Sequence, residues 1–268
     1  MATRLLSALL GIILLIVVMM SPGIYLSIAL TILAIFALYE LFSALEAINI
    51  KPIRWIGYLS VIYIVLSNWL IGQDYSILIY LIIFTIMLVL FFSIVFLNNK
   101  VTFIDISATF LAIFYITFLL SFIILTRNMD KGNFFVWLIF LGGWITDSAA
   151  YFTGKRMGKT KLIPDISPKK TVEGSIGGVI GCTAIVTIYG LFINNYFSAN
   201  IWIGHYILLG LIVSIVSQVG DLVASSIKRL TGIKDFGNIM PGHGGVIDRF
   251  DSILLAAPVV YLYLNFIM

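Results

Sequence analysis

The chain has 268 residues, of which 61% are hydrophobic and only 10% charged, with a mean hydropathy of +1.12. Soluble domains sit nearer half apolar and a quarter charged, so a water-soluble fold is excluded and the solvent is largely lipid. The net charge of +4 and pI of about 9.1 then reflect orientation in an anionic membrane rather than nucleic-acid binding.

Backbone polar groups in lipid must be satisfied internally, which leaves helices or closed barrels. The apolar runs here are long and continuous rather than alternating, which selects helices. Nine spans of about 20 residues are expected, at roughly 5–21, 24–45, 53–72, 76–97, 105–126, 133–153, 174–195, 201–227 and 250–267. The first follows Arg4 and resembles a signal peptide, but it is long for a signal core and lacks a small-x-small cleavage site, so it is read as a retained span. The whole chain, 1–268, reads as one integral membrane domain, with N-terminal helices over about 1–130 and catalytic helices and loops over about 131–268.

With nine spans, the N-terminus and alternate loops share one side. That side carries Arg4, Lys51, Arg54, Lys100, six basic residues from Lys155 to Lys170, and Lys228, Arg229, Lys234 and Arg249. The split is fourteen against two, Arg127 and Lys131. This asymmetry places the N-terminus and both long loops in the cytoplasm and the C-terminus outside a cell membrane. One span too many or too few would scramble it.

Acidic residues within spans are costly and point to function. Asp221 lies on a helical stripe with Ser217, Ser225 and Lys228; the plainer reading is a structural Asp–Lys pair with Lys228 snorkelling outward. Asp147, one turn before Tyr151, either orients a ligand or bonds across helices. Glu40 reads at least as well as a structural residue near the interface.

Residues Lys234 to Asp251 form the most informative loop. Pro241, Gly242, Gly244 and Gly245 allow sharp turns and close approach to a ligand. Asp248 and Asp251 stand one helical turn apart, and such oxygen ligands suit Mg²⁺, which takes one or two carboxylates plus substrate phosphates. His243 and Arg249 add groups for phosphate. A flexible turn with two solvated capping aspartates is the plainer alternative.

The loop from Gly154 to Glu173 is strongly basic. Topology and lipid attraction account for Lys155, Arg156, Lys159 and Lys161. They account less well for Ser167-Pro-Lys169-Lys170-Thr171-Val-Glu173-Gly174, which leads into a helix N-terminus as a phosphate cradle would. Other features are discounted. Gly174, Gly177, Gly178 and Gly181 are spaced for helix packing, not for a dinucleotide. Asp235-Phe-Gly237 stands without other kinase signatures, and no Walker A sequence is present. His205 and Cys182 read as structural. The lone cysteine excludes an intrachain disulfide and a cysteine metal cluster.

The stretch Ser225-x-Ile-Lys228-Arg229-x4-Lys234-Asp-x-Gly237-x2-Met240-Pro-x-His243-Gly244-Gly245-Val-x-Asp248-Arg249-Phe-Asp251 resembles the signature of the phosphatidate cytidylyltransferases, or CDP-diacylglycerol synthases. Met240 is a minor departure. Asp147-Ser-Ala-Ala-Tyr151-Phe-x-Gly154 and Ser167-Pro-Lys-Lys-Thr-x-Glu173-Gly174 are similar to that family too. The resemblance implies an all-helical, homodimeric membrane enzyme that makes CDP-diacylglycerol and pyrophosphate from CTP and phosphatidate with Mg²⁺, and with a monovalent cation such as K⁺ as a second ion. It implies Asp221 and Asp248 as metal ligands.

Both reactants are anionic, so cations must screen their repulsion. Lys169, Lys170, Lys228 and Arg249 are the candidate phosphate contacts. Lys228, Arg249, His243 and Asp251 join the two metal ligands as catalytic candidates. Ser167, Asp147, Ser225, Lys234, Gly244 and Gly245 complete the candidate substrate contacts. Two alternatives remain: a related CTP-using lipid enzyme such as a polyprenol kinase, and a transporter of an anionic metabolite, which also carries midspan acids.

Overall fold

A computed structural model describes residues 11, 13–21, 23–69, 75–96, 100–238 and 244–268. Among the described residues the regular secondary structure is helical apart from one short hairpin. Six helices among the described residues are long and apolar enough to cross a membrane, which makes this an all-α integral membrane protein. Residues 5–10 and 12 of the first expected span, and His243, lie outside the described residues.

The helices are α1 (Gly23–Glu46), α2 (Arg54–Ser60), α3 (Ile62–Trp69), α4 (Tyr75–Phe96), α5 (Phe103–Ala112), α6 (Leu119–Arg127), α7 (Gly132–Met157), α8 (Val172–Phe197), α9 (Ile203–Thr231) and α10 (Ile247–Ile267). A π-helical turn, Ile113–Phe118, joins α5 to α6, so the three form one span. Strands β1 (Lys161–Ile163) and β2 (Ser167–Thr171) pair antiparallel within the expected basic loop, a hairpin that the sequence pattern does not signal. Helices run a few residues past several expected spans because a helix can continue beyond the hydrocarbon. The expected span at 53–72 is interrupted, with α2 and α3 meeting at Val61.

The chain forms two compact units. The first comprises Met1–Asn128 and Thr231–Arg249. In it α1 packs on α3 and α6, burying Leu38, Phe42, Ile64, Leu120 and Ile123. A second apolar cluster joins Ile53, Ile56, Leu90, Ile106 and Ile113. Thr102 and Asp105 close a capping box at the start of α5. Asp105 and Thr109 also accept the backbone N–H groups of Lys51 and Ile53, at 2.6 and 2.8 Å, which ties the turn before α2 to α5.

The second unit comprises Met129–Leu230 and Phe250–Met268. Its core feature is the tight seam between α7 and α8. A side chain at Gly178 would meet the Thr146 carbonyl at 3.0 Å and Ala150 at 3.1 Å, and one at Gly181 would meet Ala149 at 2.6 Å. The glycine stripe therefore packs helices, as its spacing suggested, because small residues let two backbones approach in lipid. Gly178→Leu is expected to cost about 1–3 kcal/mol, the usual penalty of overpacking. A lower thermal midpoint in detergent would report it, and an unchanged midpoint would mean that the seam opens freely.

Candidate active site

The basic hairpin grows directly out of this seam. Thr171 ends β2 and caps α8, its Oγ1 accepting the Gly174 N–H at 3.1 Å. Glu173, in the first turn of α8, accepts the N–H groups of Lys159 at 3.1 Å and Thr160 at 3.2 Å. The two side chains pin both limbs of the hairpin to one helix start. Arg229 on α9 donates from Nε to the Ile166 carbonyl at 3.1 Å, which holds the tip.

Beneath the hairpin the second unit has a cavity of about 500 Å³. Its lining includes Asp147, Tyr151, Lys155, Lys169, Lys170 and Asp221. Three of the predicted substrate contacts, Asp147, Lys169 and Lys170, thus share one cavity with the predicted metal ligand Asp221. Lys170 and Asp221 form an ion pair across it, from residues 51 positions apart. Both side chains are about one quarter exposed, but the Lys170 ammonium itself is buried against Asp221. Ser225 Oγ, one turn below Asp221 on α9, stands 3.4 Å from Asp221 Oδ1, a long contact.

Two acids, Asp147 and Asp221, line the cavity, and a third, Asp251, is in electrostatic contact with both. Asp147 accepts a hydrogen bond from Ser252 Oγ at 2.8 Å. Asp251 is 8% exposed and accepts the Ser252 N–H at 2.8 Å. It is buried, not the solvated cap of the plainer reading. Asp147, Asp221 and Asp251 lie within electrostatic range of one another, with Lys170 and Lys228 as the offsetting cations. Ser175 and Gln218 join the wall through a 2.5 Å hydrogen bond. Sequence reasoning passed over Ser252, Ser175 and Gln218. Ser252 follows Asp251 in the motif, and Gln218 sits beside Ser217 on the polar stripe, so both carried a weak signal.

Asp248, Lys234, Arg249, Gly244 and Gly245 belong to the first unit. There Asp248 Oδ2 accepts the N–H groups of Phe236 at 2.9 Å and Gly245 at 3.0 Å. The second bond reaches back three residues, as the acid of a capping box does. Gly244 has φ +84°, a left-handed conformation that favours glycine, beside the Asp248 carboxyl. Glu40, for which a structural role is at least as strong a reading from sequence, is 1% exposed and accepts the N–H groups of Val246 at 2.9 Å and Ile247 at 3.1 Å.

The donor set of the cavity is oxygen and nitrogen without thiolate or imidazole among its described lining residues. Such donors suit hard cations. Among the described residues no three His, Cys, Asp or Glu side chains gather into a metal cage. A divalent ion here would therefore take one or two carboxylates and draw its remaining ligands from phosphate or water, as Mg²⁺ does. Basic and acidic groups in one cavity equip it to bind a polyphosphate and its counter-ion together.

Comparison with known proteins bears on this arrangement. A model described as the cytidylyltransferase family matches residues 2–267. A phosphatidate cytidylyltransferase of Staphylococcus haemolyticus is 42% identical over 167 residues, which cover 62% of this chain and 62% of that protein. One of Bacillus subtilis is 40% identical over 183 residues, 68% of this chain and 66% of that protein. One of Staphylococcus aureus is 41% identical over 169 residues, 62% of each. The chain thus matches 62 to 66% of the length of these relatives.

Proposed function

We propose, from the fact that this chain belongs to the cytidylyltransferase family, that it transfers CMP from CTP to phosphatidate, giving CDP-diacylglycerol and pyrophosphate. The observation that carries the proposal is the Lys170–Asp221 ion pair inside a cavity rimmed by Lys155 and Lys169. A nucleoside triphosphate with its divalent ion presents the complementary pattern, anionic oxygens beside a cation.

In the reaction a phosphatidate oxygen bonds to the α-phosphorus of CTP. The bond from that phosphorus to the bridging oxygen breaks, and pyrophosphate leaves with the electron pair. The nucleophile is a phosphate already ionised near neutral pH, so the residues need not supply a strong base. Their work is positioning and charge compensation. Lys169 and Lys170 bind the triphosphate, with Ser167 on the same strand. Lys228 and Arg249 meet the phosphates of the reacting pair. Asp147, held by Ser252, orients substrate from the cavity wall.

Asp221 and Asp248 are the proposed ligands of Mg²⁺. When bound, the ion would neutralise the triphosphate and favour departure of pyrophosphate. A monovalent cation such as K⁺ is proposed beside it. The same reading gives nine membrane passes, with the N-terminus and both long loops cytoplasmic and the C-terminus outside. By the same likeness the working form is a homodimer.

Lys170→Ala is expected to raise the KM for CTP about tenfold to a hundredfold, since a charge-assisted phosphate contact is worth about 1.5–3 kcal/mol. Unchanged KM and kcat would reduce the hairpin to a topology signal. The activity itself is tested with purified protein in lipid, CTP, Mg²⁺ and phosphatidate. Equal amounts of pyrophosphate and CDP-diacylglycerol are expected. CDP released with a phosphorylated polyprenol would make it a kinase, and no product from any lipid phosphate would overturn the enzyme reading.

A further inference from the structure

We infer that Glu40 is a positioning residue: a buried carboxylate on α1 that holds the turn before α10 in the shape that presents Asp248. The inference rests on the cytidylyl-transfer reading for the task of Asp248, but not for what Glu40 holds.

Glu40 lies in a helix of 24 residues without a single lysine or arginine, and it is 1% exposed. An acid in such a place is costly and is kept only where something compensates it. The compensation here is backbone. Each carboxylate oxygen takes one N–H, from Val246 at 2.9 Å and from Ile247 at 3.1 Å. These donors stand at the start of α10, where the first N–H groups of a helix have no intrahelical acceptor and the helix dipole favours negative charge. Glu40 therefore caps α10 from more than 200 positions away in the chain.

The turn is also shaped around this carboxyl. A side chain at Gly245 would stand 2.6 Å from Glu40 Oε2, and one at Gly237 would collide with Oε1. Asp248 gathers the same segment from the other carboxylate, through Phe236 and Gly245. Four backbone N–H groups between residues 236 and 247 thus converge on two acids. One acid, Asp248, is the proposed metal ligand. The other fixes the peptide that carries it, and such supporting bonds set the orientation and affinity of a ligand.

Glu40→Gln tests the inference, because it keeps the volume but turns an amide NH₂ toward a backbone donor. Two quantities are read. One is amide hydrogen exchange in peptides covering residues 244–250; the other is Mn²⁺ affinity in the presence of CTP, per folded protein. Exchange there is expected to accelerate, and Mn²⁺ affinity and kcat to fall about tenfold to a hundredfold. Glu40→Asp, which keeps both acceptors on a shorter stem, is expected to recover part of each.

Unchanged exchange would overturn the clamp. Faster exchange with unchanged Mn²⁺ affinity and kcat would overturn the positioning role. So would losses that only track the folded fraction, measured by thermal midpoint. Wild-type protein that transfers no CMP would overturn the proposed reaction, while the exchange result would still decide the clamp.

Discussion

Asp221→Asn is expected to lower CMP transfer about 10²- to 10³-fold while the protein stays folded, the scale seen when one charge-stabilising group is removed from an active site. Asparagine preserves the shape of the side chain and its single long contact to Ser225. What disappears is the negative charge. That charge pairs with Lys170 in the cavity, and in the proposed site it would supply a hard anionic oxygen for a divalent ion. In a neutral amide the ion pair is lost, and the oxygen that remains is an uncharged, weaker ligand. The loss should be in kcat, with higher Mg²⁺ giving only partial recovery. Turnover within a few-fold of wild type would remove Asp221 from the metal site.

Asp248→Asn is expected to be as severe in turnover, and informative in a different way. One oxygen of Asp248 already receives two backbone N–H groups. The amide oxygen of asparagine can accept both, so the turn and the thermal midpoint should survive while the charge is lost. Asp248→Ala should lose both, because two backbone donors would be left without their acceptor, at about 1–3 kcal/mol each. Assaying kcat beside the thermal midpoint separates the two roles. If Asn retains wild-type turnover, Asp248 serves as a cap and not as a ligand.

Much of the fold was legible because lipid imposes a simple rule on sequence. Long apolar runs marked the helices from Gly23–Glu46 to Ile247–Ile267, with ends shifted by a few residues. The hairpin was not legible. Strand β2 reads Ser-Pro-Lys-Lys-Thr, which has no alternation and a single β-branched residue at its end, and the hairpin is held by Glu173 and Arg229 from neighbouring helices. Tertiary bonds, not local propensity, make it a strand. The break at Val61 lies in an unbroken apolar run, where hydropathy carries no signal for it.

The site divides in the same way. Asp147, Lys169, Lys170 and Asp221 stood out because charge is rare in such a chain, and they do line one cavity. The pairing of Asp221 did not stand out. Helical spacing drew attention to Lys228 on its own helix, yet Lys170 on β2 reaches it across the cavity. The plainer alternative for Asp251, a solvated cap, does not hold, since the residue is buried. Glu40 is the clearest case. Its neighbours in sequence, Tyr39 and Leu41, contain no hint of the glycine turn whose N–H groups it accepts. Contacts of that separation have no local spacing for a single sequence to display.

The claim on which the account turns is that Asp221 and Asp248 serve as carboxylate ligands for a divalent ion bound with the nucleotide. Electron paramagnetic resonance of Mn²⁺ titrated into the full chain with CTP measures this directly. Saturable, CTP-dependent binding is expected in the wild type, weakened at least tenfold in both Asp221→Asn and Asp248→Asn. Undiminished Mn²⁺ affinity in either variant would contradict it.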